Sequence, residues 1–307
     1  MSAIDTILSQ LSKQFSSTTL KDTYQKLSHA YREKGHIPQL KTDEEIWAYT
    51  LARLPATYEV DHEVLQNINN IESVLDLGCG PGTGSWAAIN LFDNLKKLTL
   101  VDSSPAMLKM AQLIGDHYQS YEFEYQQKRL DAAEFTPHDL VIFSYSLSEL
   151  DPKKYEQILS SAWVACNKYL VVIEPGTPIH FKNLLLARDH AVKLGGEIIA
   201  PCPHSLQCPM QDTADWCHFS KRLPRNSEHK FIKSATLSYE DEKYSYFIAA
   251  KHPEQRSFTQ RIIKNPLKRS GHILFDLCTM QGLQRTTISK KHPEYKKYSK
   301  LDWGDGL

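Results

Sequence analysis

The pattern of hydrophobic and polar positions changes at about residue 73. Residues 1–70 carry spaced apolar positions typical of helices. Thr42 stands directly before the acidic first turn of "DEEIWAYTLARL", which predicts a capped helix start. From Ser73 onward, short apolar runs alternate with amphipathic segments. This alternation predicts right-handed strand–helix–strand units and a mainly parallel sheet with helices on both faces.

Four apolar runs and one alternating segment, the third in chain order, are the predicted strands of the sheet. They are "SVLDLG" (73–78), "KLTLVDSS" (97–104), "YEFEYQQK" (121–128), the start of "HDLVIFSYSLSEL" (138–150) and "KYLVVIEPG" (168–176). Helices are expected between and after them, including 152–166 and 180–194. The later segment "SATLSYEDEKYSYFIAAK" predicts a hairpin with a turn near Asp241 and Glu242 that closes the sheet. Beyond it, short antiparallel strands are expected, broken by Pro266, Gly271 and Gly282.

These elements predict five regions along the chain. They are an N-terminal helical region (1–70), a Rossmann-like core (71–200), a cysteine-rich loop (201–230), a closing β-hairpin of the core (231–255) and a basic C-terminal extension (256–307). The chain has 41% hydrophobic and 23% charged residues, as ordinary globular proteins do. It has no apolar run long enough to cross a membrane, so no membrane span is expected. The N-terminus lacks the pattern of a signal or transit peptide, so we expect an intracellular protein whose six cysteines are mostly reduced.

The zero net charge of the chain hides an asymmetry. Residues 1–200 hold 18 Lys and Arg against 25 Asp and Glu, whereas residues 251–300 hold 12 against 3. A strongly basic segment can neutralise phosphates and gain affinity by releasing counterions. The C-terminal part therefore indicates nucleic-acid binding, and charge reversal at Lys268 and Arg269 is expected to weaken it. A solvated basic face without a partner is the alternative.

A glycine-rich loop, "VLDLGCGPGTGS" (74–85), joins the first predicted strand to the first helix of the core. Gly78, Gly80 and Gly82 allow a sharp turn and a close approach of backbone to ligand. An acidic residue, Asp102, ends the next strand, where a carboxylate can hold the hydroxyls of a ribose. NAD and S-adenosylmethionine are the two main candidate ligands.

The acidic residue before these glycines decides between the two ligands. "DLGCGPGTG" resembles motif I of the class I S-adenosylmethionine-dependent methyltransferases, whereas the dinucleotide fingerprint usually lacks that acid. The resemblance implies that Asp76 lies near the sulfonium and amino-acid end, Asp102 on the ribose and Asp131 near the adenine. On the acceptor side, Tyr145, Ser146 and Glu149 are candidates, and packing or capping explains them equally well. The catalytic residues are therefore unknown.

Four cysteines outside the glycine-rich loop are candidate metal ligands. They are Cys202, Cys208, Cys217 and, 61 positions after Cys217, Cys278. Their spacing is that of neither zinc ribbons nor radical enzymes. Proline-stiffened loops with little apolar content lack ordering free energy, which a metal can supply. Four thiolates suit zinc or an iron–sulfur cluster, with His204 or His218 as substitute ligands. Buried free thiols are the alternative.

A family resemblance joins these observations. It is carried by the segments "YREKGH", "AYTLARLPATY", "LDLGCGPGTGSWAA", "IEPGTP", "PCPHSLQCP", "WCHFSKRLPR", "GHILFDLC" and "WGD". Together they resemble the methyltransferase-like assembly factors of the small ribosomal subunit, found in mitochondria and with bacterial relatives. The resemblance implies a [4Fe–4S] centre on Cys202, Cys208, Cys217 and Cys278, with zinc as the alternative. It also implies a role on small-subunit ribosomal RNA, with Lys221, Arg222 and Arg225 as RNA contacts beside the centre.

The sequence thus predicts an α/β protein with a class I methyltransferase Rossmann-like, mainly parallel sheet. N-terminal helices, a cysteine-rich insertion and a small basic C-terminal β extension complete it. The first hypothesis is an S-adenosylmethionine-binding, iron–sulfur factor for ribosome assembly or translation. The second is an active methyltransferase on RNA, protein or a small molecule with a purely structural zinc or cluster site. A radical enzyme is the third and lacks the three-cysteine spacing. We expect a bacterial cytoplasmic protein, or a mitochondrial matrix protein if the source is eukaryotic.

Overall fold

A computed structural model describes residues 3–34, 40–132, 134–252 and 256–307. The α-helices of these residues are α1 (Ala3–Leu11), α2 (Ser17–Lys34), α3 (Asp43–Leu65), α4 (Thr83–Leu91), α5 (Pro105–Gly115), α6 (Tyr155–Val164), α7 (Pro178–Lys193), α8 (Ser227–Ile232) and α9 (Tyr295–Tyr298). The strands are β1 (Ser73–Leu77), β2 (Lys97–Asp102), β3 (Glu122–Gln127), β4 (His138–Ser144), β5 (Cys166–Pro175), β6 (Glu197–Ala200), β7 (Phe219–Pro224), β8 (Tyr239–Ala250), β9 (Gln260–Ile262), β10 (Leu267–Lys268), β11 (His272–Thr279) and β12 (Gly282–Ser289).

The predicted helical N-terminus is confirmed, and α3 begins where the sequence indicates. Thr42 Oγ1 accepts a hydrogen bond from Glu45 N at 3.2 Å, and the Glu45 carboxylate accepts one from Thr42 N at 3.1 Å. This reciprocal capping box satisfies backbone donors that the first helical turn leaves unpaired. The three acidic residues of that turn also face the positive end of the helix dipole.

The main sheet has the strand order β3-β2-β1-β4-β5-β8-β6, and β7 also pairs with β8. Strands β1 to β5 are parallel, and β8 runs antiparallel to β5, β6 and β7. The predicted class I methyltransferase Rossmann-like fold is confirmed. The strand order reverses between β1 and β4, and open α/β sheets place their ligands at such a switch point, outside the carboxyl ends of the strands.

The predicted hairpin near Asp241 and Glu242 is wrong, because β8 runs through both residues as one strand of 12 residues. Each carboxylate has an arginine partner instead of a turn. Asp241 accepts hydrogen bonds from Arg222 at 2.7 and 2.8 Å, and Glu242 accepts them from Arg53 on α3 at 2.9 and 3.2 Å. Successive side chains of a strand point to opposite faces. Asp241 and Glu242 therefore bind different arginines on the two faces of β8.

A second sheet forms the C-terminal part, with β11 between β12 and the short strands β9 and β10. Its antiparallel arrangement and its breaks near Pro266, Gly271 and Gly282 agree with the sequence prediction. Cys278 lies on β11, opposite Leu283 of β12 and Arg261 of β9. The main sheet includes β7 and β8, so it continues across the predicted region boundaries at 200 and 230. The division into five regions stays a prediction.

Buried side chains cover both faces of the main sheet. Trp86 of α4 is fully buried on the face that α3, α4 and α5 cover, and Phe143 and Phe247 are buried on the other face with α6 and α7. These cores fix the carboxyl ends of β1, β2 and β4 relative to one another. Over the described ranges, no helix combines the length and the apolar character that crossing a bilayer requires.

Candidate functional site

A cavity of about 460 Å³ lies at the carboxyl ends of β1, β2 and β4. The glycine-rich loop forms one wall, and Asp102 with the following serines forms another. Tyr145 and Ser146 after β4 and Tyr49 and Thr57 of α3 also line it. Its volume and position are those of a small-molecule site at the switch point of an α/β sheet.

Two of the predicted glycines, Gly78 and Gly80, line this cavity in different ways. Both have positive φ, +69° and +53°. A Cβ on Gly78 would lie 2.5 Å from the Cβ of Ser146, so a glycine lets the loop pack against the segment that follows β4. A Cβ on Gly80 would meet no atom within 4 Å. The wall at Gly80 is therefore bare backbone facing open space, which is suited to close contact with a ligand.

The other two predicted residues of this loop, Asp76 and Gly82, do not line the cavity. Asp76 Oδ2 accepts hydrogen bonds from Ser85 N at 3.0 Å and Ser85 Oγ at 2.8 Å, so this carboxylate ties β1 to the start of α4. Burial raises the pKa of Asp76 to about 6. Gly82 caps α4 and leaves room for the Trp86 indole beside it. Both residues therefore stabilise the loop on the side that faces away from the cavity.

The predicted carboxylates Asp102 and Asp131 both line the cavity. Asp102 accepts hydrogen bonds from Gly80 N at 2.9 Å and Ser104 N at 2.7 Å, which fixes its orientation at the end of β2. Burial raises the pKa of Asp102. Asp131 is paired with Arg129 at 3.1 Å and Lys154 at 2.5 Å, and these hydrogen bonds hold the pKa of Asp131 well below its usual range. Asp102 is the freer of the two to bind a ligand.

The segment after β4 also lines the cavity, next to the glycine loop. Tyr145 has a φ of +56°, an uncommon and costly conformation for a tyrosine. Its hydroxyl has no hydrogen-bond partner among the described residues. Glu149 lines the cavity with an exposed side chain. Partial loss of hydration of its carboxylate, together with the charge of Asp102, raises the pKa of Glu149 to about 7.

Sequence reasoning missed Asp61, a buried carboxylate beneath this segment. It lies on α3 and accepts a hydrogen bond from Ser144 Oγ at 2.8 Å. Burial raises the pKa of Asp61 well above its usual value. The only sequence signal was an acidic residue at an otherwise apolar helix position, which does not identify its partner.

The four predicted metal-site cysteines come together around a second cavity, of about 30 Å³. Cys202, Cys208 and Cys217 reach it from the segment between β6 and β7, and Cys278 reaches it from β11. Cys79 lines the first cavity instead, and Cys166 is buried at the start of β5. All six are free thiols.

Burial and mutual proximity raise the pKa values of three thiols of this set, Cys208, Cys217 and Cys278. The pKa of Cys217 is raised well above its usual value by burial and then by the charges of the other three cysteines of the set. Burial and the neighbouring thiols also raise the pKa of Cys208 to about 11 and that of Cys278 to about 12. Within the described part of the chain, no three His, Cys, Asp or Glu side chains are arranged to hold a metal ion. The candidate ligand His204 lies 3.9 Å from Cys278 Sγ.

The RNA contacts predicted on β7 and its continuation all have acidic partners within the chain. Lys221 pairs with Glu63 at 2.5 Å, and Arg222 pairs with Asp241. Arg225 pairs with Glu240 at 3.2 Å. Each pair offsets the positive charge that a phosphate would need, so contacts of these three with RNA stay a prediction that the geometry disfavours.

The other two predicted RNA contacts, Lys268 and Arg269, are exposed on β10 and the turn after it. Lys290 and Lys291 stand at the same end of this sheet, because Lys290 N donates to Gly271 O in that turn at 3.0 Å. Among the described residues, no acidic side chain forms an ion pair with any of these four. We call Lys268, Arg269, Lys290 and Lys291 the cation cluster.

Comparison with known proteins decides the family. The model of the family described as "Mitochondrial small ribosomal subunit Rsm22" matches residues 43–307. This chain belongs to the Rsm22 family. The predicted resemblance is thereby confirmed.

Relatives of this Rsm22-family chain include ribosome assembly proteins. It is 30% identical over 259 residues to "Ribosome assembly protein METTL17, mitochondrial" of Homo sapiens, covering 77% of this chain and 55% of the relative. It is 26% identical over 334 aligned positions to "Rsm22-cox11 tandem protein 2, mitochondrial" of Schizosaccharomyces pombe, covering 89% and 44%. The chain thus spans about half the length of these curated relatives. Both are named as mitochondrial, which agrees with the mitochondrial part of the expected localisation and does not support the cytoplasmic part.

Solved structures that resemble this chain include methyltransferases. One is the magnesium protoporphyrin IX methyltransferase of Synechocystis with bound S-adenosylmethionine, at a TM-score of 0.41 and 14% identity, covering 77% of this chain and 97% of that chain. Another is the precorrin-6y C5,15-methyltransferase of Geobacter metallireducens, at a TM-score of 0.41 and 14% identity, covering 64% and 87%. Identities this low concern the fold alone.

Proposed function

We propose that this Rsm22-family protein is a methyltransferase-like factor for small ribosomal subunit assembly. In this proposal it binds S-adenosylmethionine in the larger cavity and ribosomal RNA through the cation cluster. A four-cysteine metal centre joins the two parts. The observation that carries the RNA-binding role is the cation cluster itself, four exposed positive charges with no acidic partner among the described residues. Clustered, unneutralised Lys and Arg residues are the usual electrostatic footprint of a phosphate-binding surface.

The residues around the larger cavity fit S-adenosylmethionine. Gly80 offers bare backbone facing open space, and Asp102 presents a carboxylate whose orientation two backbone N–H groups fix. Asp102 would hold the ribose hydroxyls, and the negative charge of Glu149 suits the cationic sulfonium and ammonium groups. When bound, the donor supplies a methyl group activated by its sulfonium.

The four cysteines fit a metal centre by their chemistry. Thiolates are the ligands that zinc and iron–sulfur clusters share, and four of them surround one cavity from two distant parts of the chain. We propose the [4Fe–4S] cluster that the family resemblance implies. Zinc is the alternative for the same four thiolates.

The RNA-binding role is tested by charge reversal in the cation cluster. We expect the double variant Lys268→Glu/Arg269→Glu to bind small-subunit RNA more weakly, because two phosphate contacts are lost. The slope of log affinity against log salt concentration then falls by roughly 1.4–1.8, at 0.7–0.9 for each phosphate. The measurement is fluorescence anisotropy with labelled RNA at several salt concentrations.

The matched control is Lys96→Glu/Lys97→Glu, which reverses two charges at the amino ends of the parallel strands. It is expected to keep the wild-type affinity and salt slope. An equal loss in both double variants would mean that only net charge matters, and the cation cluster would then not be the binding surface.

Active methyl transfer is the second candidate function. Glu149 favours it, because a carboxyl group with a pKa of about 7 at the edge of a donor cavity suits a general base. Incubation of small subunits with radiolabelled S-adenosylmethionine separates the two functions. Turnover that Asp102→Ala abolishes would establish an enzyme, whereas donor binding without turnover would leave the assembly role.

A further inference from the structure

Two buried arginines, Arg188 of α7 and Arg261 of β9, line the cavity around which the four cysteines lie. Their exposed fractions are only 3% and 7%. Burial of a guanidinium is costly unless an opposite charge compensates it. The partner of Arg188 is Asp189 at 3.1 Å, whose side chain is partly solvated. For Arg261, no acidic side chain forms an ion pair in the described part of the chain.

Each guanidinium also holds backbone carbonyls around the cysteine-rich segment. Arg188 Nη2 donates to His204 O at 3.1 Å and Leu206 O at 2.8 Å. Arg261 Nε donates to Pro201 O at 2.9 Å, and its Nη1 donates to Gly304 O. These hydrogen bonds fix both side chains in place. Arg188 shares its charge with Asp189, whereas the Arg261 guanidinium stacks on the Phe258 ring at 3.8 Å and has no acidic partner in the described ranges.

One N–H-bearing nitrogen of each arginine has no partner among the described residues, Nε of Arg188 and Nη2 of Arg261. Buried donors in native proteins almost always have an acceptor. The sulfurs of the four cysteines are the candidate acceptors, because they line the same cavity as both arginines.

Charge balance completes the argument. Four neutral thiols would leave Arg261 without a negative partner among the described residues, and Arg188 with only the partly solvated Asp189. Four thiolates around Zn²⁺, or around a [4Fe–4S] core in its oxidised dicationic state, carry a net charge of two negatives. The two arginines place positive charge beside that centre and offset part of its charge.

We infer that Arg188 and Arg261 are the positioning residues of the four-cysteine centre, offsetting part of its charge and donating hydrogen bonds to its sulfurs. This inference rests on the metal centre proposed above. Hydrogen bonds to sulfur and nearby positive charge raise the reduction potential of an iron–sulfur cluster, because they stabilise the more negative reduced state. The arginines therefore set how readily the cluster accepts one electron and how tightly the protein retains it.

The test replaces each arginine by glutamine, which is polar and uncharged, and by lysine, which keeps the charge. Anaerobically purified protein is titrated with dithionite, the one-electron reductant, and the reduced cluster is followed by electron paramagnetic resonance. We expect Arg188→Gln and Arg261→Gln to shift the midpoint potential to more negative values than wild type. We also expect them to lose the cluster in air roughly 10-fold faster. The lysine variants should recover part of both effects.

Arg256→Gln is the matched control. Arg256 also holds this part of the chain, donating to Ile198 O at 3.0 and 3.1 Å, but it does not line the cysteine cavity. Its loss should leave the potential and the cluster lifetime unchanged. Glutamine variants that behave as Arg256→Gln does would overturn the inference while leaving the metal centre intact.

Two further measurements keep the inference testable whatever the variants do. If the glutamine variants do not fold, wild-type protein labelled with ¹⁵N-arginine should show a hyperfine coupling between arginine nitrogen and the reduced cluster, and its absence would overturn the inference. If the centre holds zinc, chelator competition replaces the redox titration, and the glutamine variants should bind zinc roughly 10-fold more weakly. Wild-type protein without metal would instead refute the proposed centre itself.

Discussion

Gly80→Ala separates the role of the glycine loop in donor binding from its role in folding. At a φ of +53°, an alanine costs about 1–2 kcal/mol of stability relative to glycine. Its methyl group meets no protein atom within 4 Å and therefore adds no clash within the protein. The methyl group enters the space proposed for the donor, and overpacking of that kind costs about 1–3 kcal/mol. The dissociation constant for S-adenosylmethionine should therefore rise roughly 5- to 150-fold.

Gly195→Ala is the matched control for this prediction. Gly195 also has a positive φ, +92°, and open space at its Cβ position, but it lies between α7 and β6, away from the cavity. Both variants should lose about 1–2 kcal/mol in the free energy of unfolding, measured by urea denaturation. Isothermal titration calorimetry with S-adenosylmethionine should show a loss of affinity for Gly80→Ala alone. Unchanged affinity in Gly80→Ala, or an equal loss in Gly195→Ala, would refute the assignment of the donor to this wall.

Two further predictions concern the Arg53–Glu242 ion pair and the ionisation of Glu149. Arg53→Ala should lower the free energy of unfolding by roughly 3 kcal/mol, because it leaves Glu242 on β8 unpaired in a mostly buried position; chemical denaturation measures this, and a loss below about 1 kcal/mol would show that the pair adds little. Since partial loss of hydration and Asp102 raise the pKa of Glu149 to about 7, its ionised fraction grows between pH 6 and pH 8, so affinity for the cationic donor should rise with pH over that range. Calorimetry should show no rise in affinity with pH for Glu149→Gln. The control Glu156→Gln, an exposed change on α6, should keep the rise. A rise that persists in Glu149→Gln would assign the titration to another group.

Local patterns were sufficient to predict the parallel half of the main sheet. Most strands from Ser73 to Pro175 are short apolar runs, β3 alternates, and helices separate most of them; this alternation has one common topology. The antiparallel half depended on distant partners. Asp241 and Glu242 resemble a turn in sequence, and only Arg222 and Arg53 make them part of a strand. In the same way, β7 lies within residues 201–230, which the sequence predicts to be a cysteine-rich loop.

The functional site likewise contains residues that nearby sequence predicts and residues whose role depends on contacts distant in the sequence. The glycine loop and Asp102 are close in sequence to strands that could be predicted, so their place at one edge of the sheet followed. Asp76 belongs to the same motif, yet its side chain bonds Ser85 behind the loop and does not line the cavity. The motif does not reveal the direction of that one side chain. The convergence of Cys278 with three cysteines more than 60 positions earlier came from the family resemblance. Arg188 and Arg261 carried no sequence signal, because their role depends on which cavity they line.

The central claim is that four cysteines from two distant segments hold one inorganic centre that joins the C-terminal sheet to the core. Its most direct test is the metal and acid-labile sulfide content of anaerobically purified protein, wild type beside Cys278→Ser and the control Cys166→Ser. The account predicts about four irons and four sulfides per chain in wild type and in Cys166→Ser, and their loss in Cys278→Ser. Wild-type protein with no stoichiometric metal, or a Cys278→Ser variant that keeps its full content, would contradict it.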